Sequence, residues 1–215
     1  GEGIFRYDLN TFTNYTETDG LIMDWIRSAT QDADGNFWFA SRSGVSKFNG
    51  KTFLNFDEGN GLFYSNINTV MQDKEGKVWF GTDGKGVLKF TGETFVNYTV
   101  QDGLSSDIIM AVTEDNLGNR WFCTYGNGVC KQDAITGKFT NYTMDDGLNN
   151  NVVWCCYADA DNTIWFGTSE GVCKYNPNTT ASGKKFTSLP DSLPAKTVYS
   201  IYKDSRNNFW FGTIA

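Results

Sequence analysis

The chain has 215 residues, 40% hydrophobic and 20% charged, which suits a folded chain with a substantial core and excludes a disordered one. Its net charge of −7 and dispersed Lys and Arg argue against nucleic acid, whose phosphate backbone calls for clustered cations. Histidine is absent, which removes Ser-His-Asp and Cys-His catalysis and the usual zinc fingers.

Aromatic residues at 16% and only three prolines favour strands. No apolar run is long enough to cross a bilayer, and no basic, apolar leader precedes Gly1, so no membrane insertion is expected of this chain. The first residue is not Met, as in a processed or trimmed product.

In chain order, Gly3-Ile4-Phe5-Arg6-Tyr7 and Phe12-Thr13-Asn14-Tyr15 read as two strands. A unit then begins that recurs along the chain. Leu21, Leu62, Leu104, Leu148 and Leu193 open its copies. Asp32, Asp73, Asp115, Asp159 and Asp204 each follow eleven residues later. Trp38-Phe39, Trp79-Phe80, Trp121-Phe122, Trp165-Phe166 and Trp210-Phe211 follow after six more. Three residues beyond each Asp stands Gly35, Gly76, Gly118, Asn162 or Asn207, which reads as a tight turn capped by the Asp. A Gly-Val step at Gly44, Gly86, Gly128 and Gly171 comes next, then an aromatic pair such as Phe53 and Phe56.

Each unit therefore reads as four short strands, A to D, and a period of about 41 to 45 residues fits them with their connections. A small sheet cannot bury both faces alone, so the units must stack, with the Trp as the wedge between neighbours. The expected fold is all-β: a five-bladed β-propeller of four-stranded antiparallel blades, forming a single domain over residues 1–215. The chain starts on strands C and D and stops on strand B. The N-terminal C and D strands are thus expected to complete the blade begun by the C-terminal A and B strands.

The run Asp-x-x-Gly-x-x-Trp-Phe-Gly-Thr, followed by Gly-Val and Phe-x-Asn-Tyr-x-x-x-x-Gly-Leu, resembles the two-component regulator propeller repeat of Bacteroidetes hybrid sensors. The resemblance spans the whole chain. It implies an extracytoplasmic setting, periplasmic or at the cell surface, and a role in detecting oligosaccharides. Those sensors commonly carry seven blades per ring with a membrane helix and kinase modules, whereas this chain has five repeats. Streptogramin lyases look related at the level of the repeat, but the chemistry implied for them needs a histidine.

The five cysteines (Cys123, Cys130, Cys155, Cys156, Cys173) form no CxxC pair and read as buried apolar residues. The sharper alternative is a disulfide between Cys130 and Cys173, which occupy one position of successive repeats. No metal or other cofactor is expected. Asp32-Ala33-Asp34-Gly35-Asn36 has its Gly too early for a calcium loop, and Ser43 stands where that loop needs Glu.

The A–B and C–D turns fall on one rim and the B–C and D–A loops on the other. The first rim keeps its motif, while the second varies from unit to unit, as a ligand site built from non-equivalent blades requires. Six residues after each leucine stand Arg27, Asn68, Met110, Trp154 and Tyr199. One further on, the column Ser28, Thr69, Ala111, Cys155 and Ser200 is small throughout. The variable column is expected at the channel mouth, with Trp25, Tyr64, Asp83, Lys85, Tyr125, Asn127 and Glu170 on the same rim. Its aromatic and hydrogen-bonding groups suit an oligosaccharide or peptide, but the same aromatics could simply plug the channel. A protein-interaction scaffold is the alternative function. A glycosidase using two carboxylates among Asp24, Asp107, Asp83 and Glu170 is the third.

Overall fold

The computed structural model describes residues 1–177, 185–189 and 196–214, so the repeat leucine at position 193 lies outside the described residues. The chain divides into two compact units, Gly1–Asn97 and Tyr98–Ala215.

The first unit opens with a two-stranded sheet of β1 (Ile4–Tyr7) and β2 (Phe12–Tyr15). A four-stranded antiparallel sheet follows, with strand order β3 (Ile26–Gln31), β4 (Phe37–Ser41), β5 (Val45–Phe48), β6 (Phe53–Phe56). The next sheet runs β7 (Ile67–Gln72), β8 (Val78–Thr82), β9 (Val87–Phe90), β10 (Phe95–Tyr98).

The second unit repeats the pattern. One sheet is β11 (Ile109–Glu114), β12 (Arg120–Thr124), β13 (Val129–Gln132), β14 (Phe139–Tyr142). Another is β15 (Val153–Ala158), β16 (Ile164–Thr168), β17 (Gly171–Tyr175), β18 (Phe186–Ser188). A two-stranded sheet of β19 (Thr197–Lys203) and β20 (Phe209–Ile214) ends it.

The all-β reading and the four-stranded antiparallel units are as expected. β1–β2 and β19–β20 are separate two-stranded sheets. Each half-blade already has its own hairpin ladder and one covered face. Ile4 and Tyr15 pack on Leu21, Phe39 and Phe48, while Phe209 lies tilted against Trp165 with ring centroids 4.1 Å apart. A hairpin so anchored holds its place without further strands.

The D-x-x-G/N turn shows why its spacing is kept. The Asp32 carboxylate accepts from the Asn36 backbone at 2.7 Å and from Trp38 Nε1 at 2.8 Å. Asp73, Asp115 and Asp204 hold Trp79, Trp121 and Trp210 in the same way, at 2.7, 3.1 and 3.0 Å. A six-residue step therefore lets one carboxylate cap the turn and satisfy a buried indole N–H. Gly35, Gly76 and Gly118 take φ near +80°, and Asn162 and Asn207 take +65°, which those residue types tolerate. The fourth repeat departs: Asp159 pairs with Lys203 Nζ at 2.8 Å, leaving Trp165 Nε1 without a partner.

Burial alone would raise the Asp32 carboxyl, but hydrogen bonds from Trp38 and Asn36, with Lys47 nearby, bring it below its ordinary 3.8. Hydrogen bonds from Trp210 and Asn208 bring Asp204 down to about 2. A carboxyl whose folded value lies below its unfolded one contributes stability that is present above the ordinary value and lost as pH falls through the folded one. Thermal melts should therefore be flat near neutrality and fall between about pH 4 and pH 2. Asp32→Asn should shrink that acid-induced fall.

The Trp is the wedge between blades within each unit. Trp38 stacks on Phe56 (5.8 Å, 17°) and meets Phe80 and Phe90 of the next blade at 5.7 and 5.4 Å. Trp121 does the same with Tyr142, Phe166 and Tyr175. The strand C lysine covers the ring, with Lys47 Nζ 5.0 Å from Trp38 and Lys131 Nζ 5.6 Å from Trp121. All five thiols are free, including Cys130 and Cys173. Burial pushes Cys130 and Cys155 up to about 12, so both stay protonated at neutral pH and are poor nucleophiles.

The loop from strand D to the next strand A has its own device. The Thr16, Thr99 and Thr143 backbones donate to Asp19, Asp102 and Asp146, closing a 3-10 turn. A left-handed glycine follows each turn, and it delivers Leu21, Leu104 or Leu148 into the core at 3% exposure.

Candidate functional site

Every strand A carries a register shift at one place. It falls between Ile26 and Ser28, Ile67 and Thr69, Ile109 and Ala111, Val153 and Cys155, and Val198 and Ser200. The extra residues of these bulges are Arg27, Asn68, Met110, Trp154 and Tyr199, the variable column seen in the sequence. A bulge leaves its residue outside the ladder and re-aims the side chain. The small column is the residue after each bulge, and it lies across the ladder from Ala40, Gly81, Cys123, Gly167 and Gly212. A Cβ on Gly167 would come within 2.4 Å of Cys155 Sγ and 2.7 Å of Val198 O. These columns are small because inner strands crowd there, and the bulge turns its residue out of that crowd.

In the first unit the bulge residues build a polar cluster. Arg27 Nη1 donates to Asn68 Oδ1 at 2.6 Å, to Asn66 Oδ1 at 2.8 Å and to the Ile67 carbonyl at 3.3 Å. Asn66 Nδ2 in turn donates to Asp83 Oδ2 at 3.0 Å, and Tyr64 Oη donates to the Asp83 carbonyl at 3.1 Å. Burial first, then nearby Arg42, pushes the Arg27 guanidinium down, and Asp83 opposes both. Lys85 is exposed in the same loop as Asp83. Arg27, Asn68, Tyr64 and Asp83 thus come together in one hydrogen-bonded cluster. Trp25 stands apart, 63% exposed, lining a shallow cavity of about 520 Å³ with Asp24, Phe5 and the segment around Gly1.

In the second unit the bulge residues are Met110, Trp154 and Tyr199, and the last two are aromatic. Trp154 meets Tyr199 at 4.8 Å and Tyr125 edge-on at 5.5 Å. Its Nε1 donates to Ser169 Oγ at 3.0 Å, which fixes the indole. Tyr125 is 50% and Tyr199 40% exposed, so this strip of rings meets solvent. Glu170 is exposed beside it and pairs with Lys196 at 3.0 Å. Asn127 is exposed in the β12–β13 loop.

Asn66, Arg42, Ser169 and Lys196 were not singled out from the sequence. Arg42 and Ser169 stand four residues after the repeat Trp, as Asp83 and Tyr125 do, but the residue type at these positions changes from repeat to repeat, so no constant signal marks them.

The carboxylates considered for hydrolysis are engaged in the loops. Asp24 Oδ1 accepts from the Glu17 backbone at 2.8 Å, and Asp107 Oδ1 accepts from the Val100 backbone at 3.0 Å. Asn151 Oδ1 does the same for Met144 at 2.9 Å, so an amide serves this position as well as an acid. Among the described residues no group of His, Cys, Asp and Glu is arranged to hold a metal, and no helix is long and apolar enough to cross a membrane.

These features define a repeating all-β array of four-stranded blades with a variable bulge column. Residues 61–84, 147–170 and 192–215 match the Two component regulator propeller family. No curated protein matches the chain. Among solved structures it is similar to the extracellular domain assigned to a hybrid two component system of B. thetaiotaomicron. Identity is 26% and the TM-score 0.81, over 94% of this chain and 29% of that one. This chain therefore spans under a third of that relative's length.

A catalytically inactive histidine-to-alanine variant of virginiamycin B lyase from Staphylococcus aureus, with quinupristin, is 18% identical. Its TM-score is 0.73, over 94% of this chain and 66% of that one. PorZ of Porphyromonas gingivalis, a surface component of the type-IX secretion system, is 15% identical, with a TM-score of 0.69 over 97% and 35% of the two chains. The last two likenesses bear on the fold alone. The chain is a propeller-like domain related to the extracellular domains of Bacteroidetes two-component sensors.

Proposed function

We propose that this chain is a non-enzymatic, extracytoplasmic sensor-type domain, that residues 1–215 act as one domain, and that it binds an oligosaccharide through its bulge residues. The observation that carries this reading is the bulge itself. An otherwise repetitive strand ejects one residue from the ladder in every unit, and those five residues differ in kind. Structural residues in a repeat converge, whereas residues that meet a non-repeating ligand do not. In the second unit the rings of Tyr125, Trp154 and Tyr199 offer faces for the apolar side of a sugar; in the first, taken by itself, the Arg27, Asn68 and Asp83 cluster offers donors and acceptors for hydroxyls. A sensor role follows from the likeness to two-component sensor domains.

A thermal-shift screen against an oligosaccharide panel tests the reading. Ligand at about 100 times its Kd should add about 2.7 kcal/mol. Arg27→Ala should weaken a hit at the first unit's polar cluster, or Trp154→Ala a hit at the second unit's ring strip, at least tenfold. A hit whose affinity neither variant changes would place the ligand elsewhere.

A further inference from the structure

Within the second unit, β12 and β15 belong to successive blades, and each brings a thiol to the seam between them. Cys123 of β12 is 0% exposed and sits in the core that holds Trp121, Val153 and Phe166. Cys156 of β15 is partly exposed and packs against that same core. The first unit has an equivalent seam, where Ala40 of β4 and Val70 of β7 share one core. Ala40 and Cys123 both stand two residues after the repeat Trp, and Val70 and Cys156 both stand three before the repeat Asp. Where one seam sets a methyl against an isopropyl group, the other sets thiol against thiol.

The neighbouring Cys155 stands outside this pair. Its Sγ donates to the Val198 carbonyl of β19 at 3.7 Å, so it faces the following hairpin. Successive residues of a strand point to opposite faces, and Cys156 therefore points back toward β12. Burial first, then the Cys156 thiol beside it, push the Cys123 thiol well above its ordinary 9.0. Cys130 and Cys173 lie on β13 and β17 and are each 0% exposed. Cys156 is thus the member of the pair that a reagent from solvent meets first.

We propose that Cys123 and Cys156 are a disulfide-forming pair, and that their oxidation locks the β12–β15 seam beneath the rings of Tyr125 and Trp154. Tyr125 stands two residues after Cys123 and forms an isolated bridge with Val152. Trp154 stands two residues before Cys156, and its ring meets that of Tyr125 at 5.5 Å. A covalent link at the base of both residues fixes the spacing of the rings, whatever they bind. The oxidant is a small-molecule disulfide, and the step is exchange. The Cys156 thiolate attacks one sulfur of the oxidant, whose S–S bond breaks and releases one thiol. The Cys123 sulfur then attacks the Cys156 sulfur of the mixed disulfide and releases the second thiol. The two cysteine protons end on the released thiols, and the two electrons lost by the cysteines reduce the oxidant. Closure is the slow step, because the raised Cys123 thiol supplies little thiolate.

Thiol counting on the full chain tests this. The folded protein is incubated with oxidised glutathione, freed of reagent and unfolded in denaturant. The wild type should then titrate two thiols fewer than the five it starts with. Its melting midpoint should rise on oxidation and return on reduction, as expected of a link that constrains the unfolded chain. Cys123→Ala and Cys156→Val install the residues that the first unit carries at these places, so both variants should keep the wild-type far-UV spectrum. Cys123→Ala should stop at a mixed disulfide, with a mass gain of one glutathione and no rise in midpoint. Cys156→Val should lose no thiol, whereas Cys155→Ala should still lose two. A wild type that keeps all five thiols, or that stops at the mixed disulfide, overturns the proposal. Loss of two thiols in Cys123→Ala or in Cys156→Val would assign the bond to another pair and also overturns it.

Discussion

Trp121→Ala should destabilise the second unit by about 3–5 kcal/mol in chemical denaturation. Trp121 is 0% exposed, held at Nε1 by Asp115, flanked by Tyr142, Phe166 and Tyr175, and covered by Lys131. Its removal leaves a cavity between two blades and a buried carboxylate short of one donor, and both costs act in the same direction. Trp210→Ala alters the same repeat position where the indole is 63% exposed. It should cost under ~1 kcal/mol. Equal losses at the two positions would mean that wedging between blades is not what makes this Trp recur.

Gly128→Ala should cost about 3 kcal/mol or more, since left-handed backbone and a steric block add at one position. Gly128 has φ +73°, and a Cβ there would stand 2.1 Å from the Tyr142 carbonyl oxygen, which is backbone and cannot swing away. Gly126, two residues earlier, has φ +96° with nothing within 4 Å of its Cβ position. Gly126→Ala should therefore carry only the conformational cost, about 1 kcal/mol. The contrast separates the glycine that lets strands C and D approach from the one that merely turns the chain.

Much of the fold was legible because its causes are local and repeated. The period, the D-x-x-G/N turn and the wedge each depend on residues close in sequence. Their recurrence separated them from chance. The double duty of the turn aspartate was not visible as a contact, although the constant six-residue step to Trp was its trace.

The bulge column was legible as a variable column next to a small one. That it was a bulge was not, since an extra unpaired residue leaves no mark in composition. Arg27 and Asn68 belonged to that column, but Asn66, which accepts from Arg27 and donates to Asp83, lies at a position filled by Trp25, Ile108 and Val152 in other repeats. Closure by a shared fifth blade was inferred from complementary halves. Complementarity names strands that can pair without fixing which pair they form.

Trp154→Ala tests the central claim most directly, with unfolding and oligosaccharide titration measured on the same sample. If the repeat carries the fold and the bulge carries the ligand, stability should stay within about 1 kcal/mol of wild type while affinity falls at least tenfold. A variant that unfolds as readily as Trp121→Ala and still binds the sugar with unchanged affinity would contradict the account.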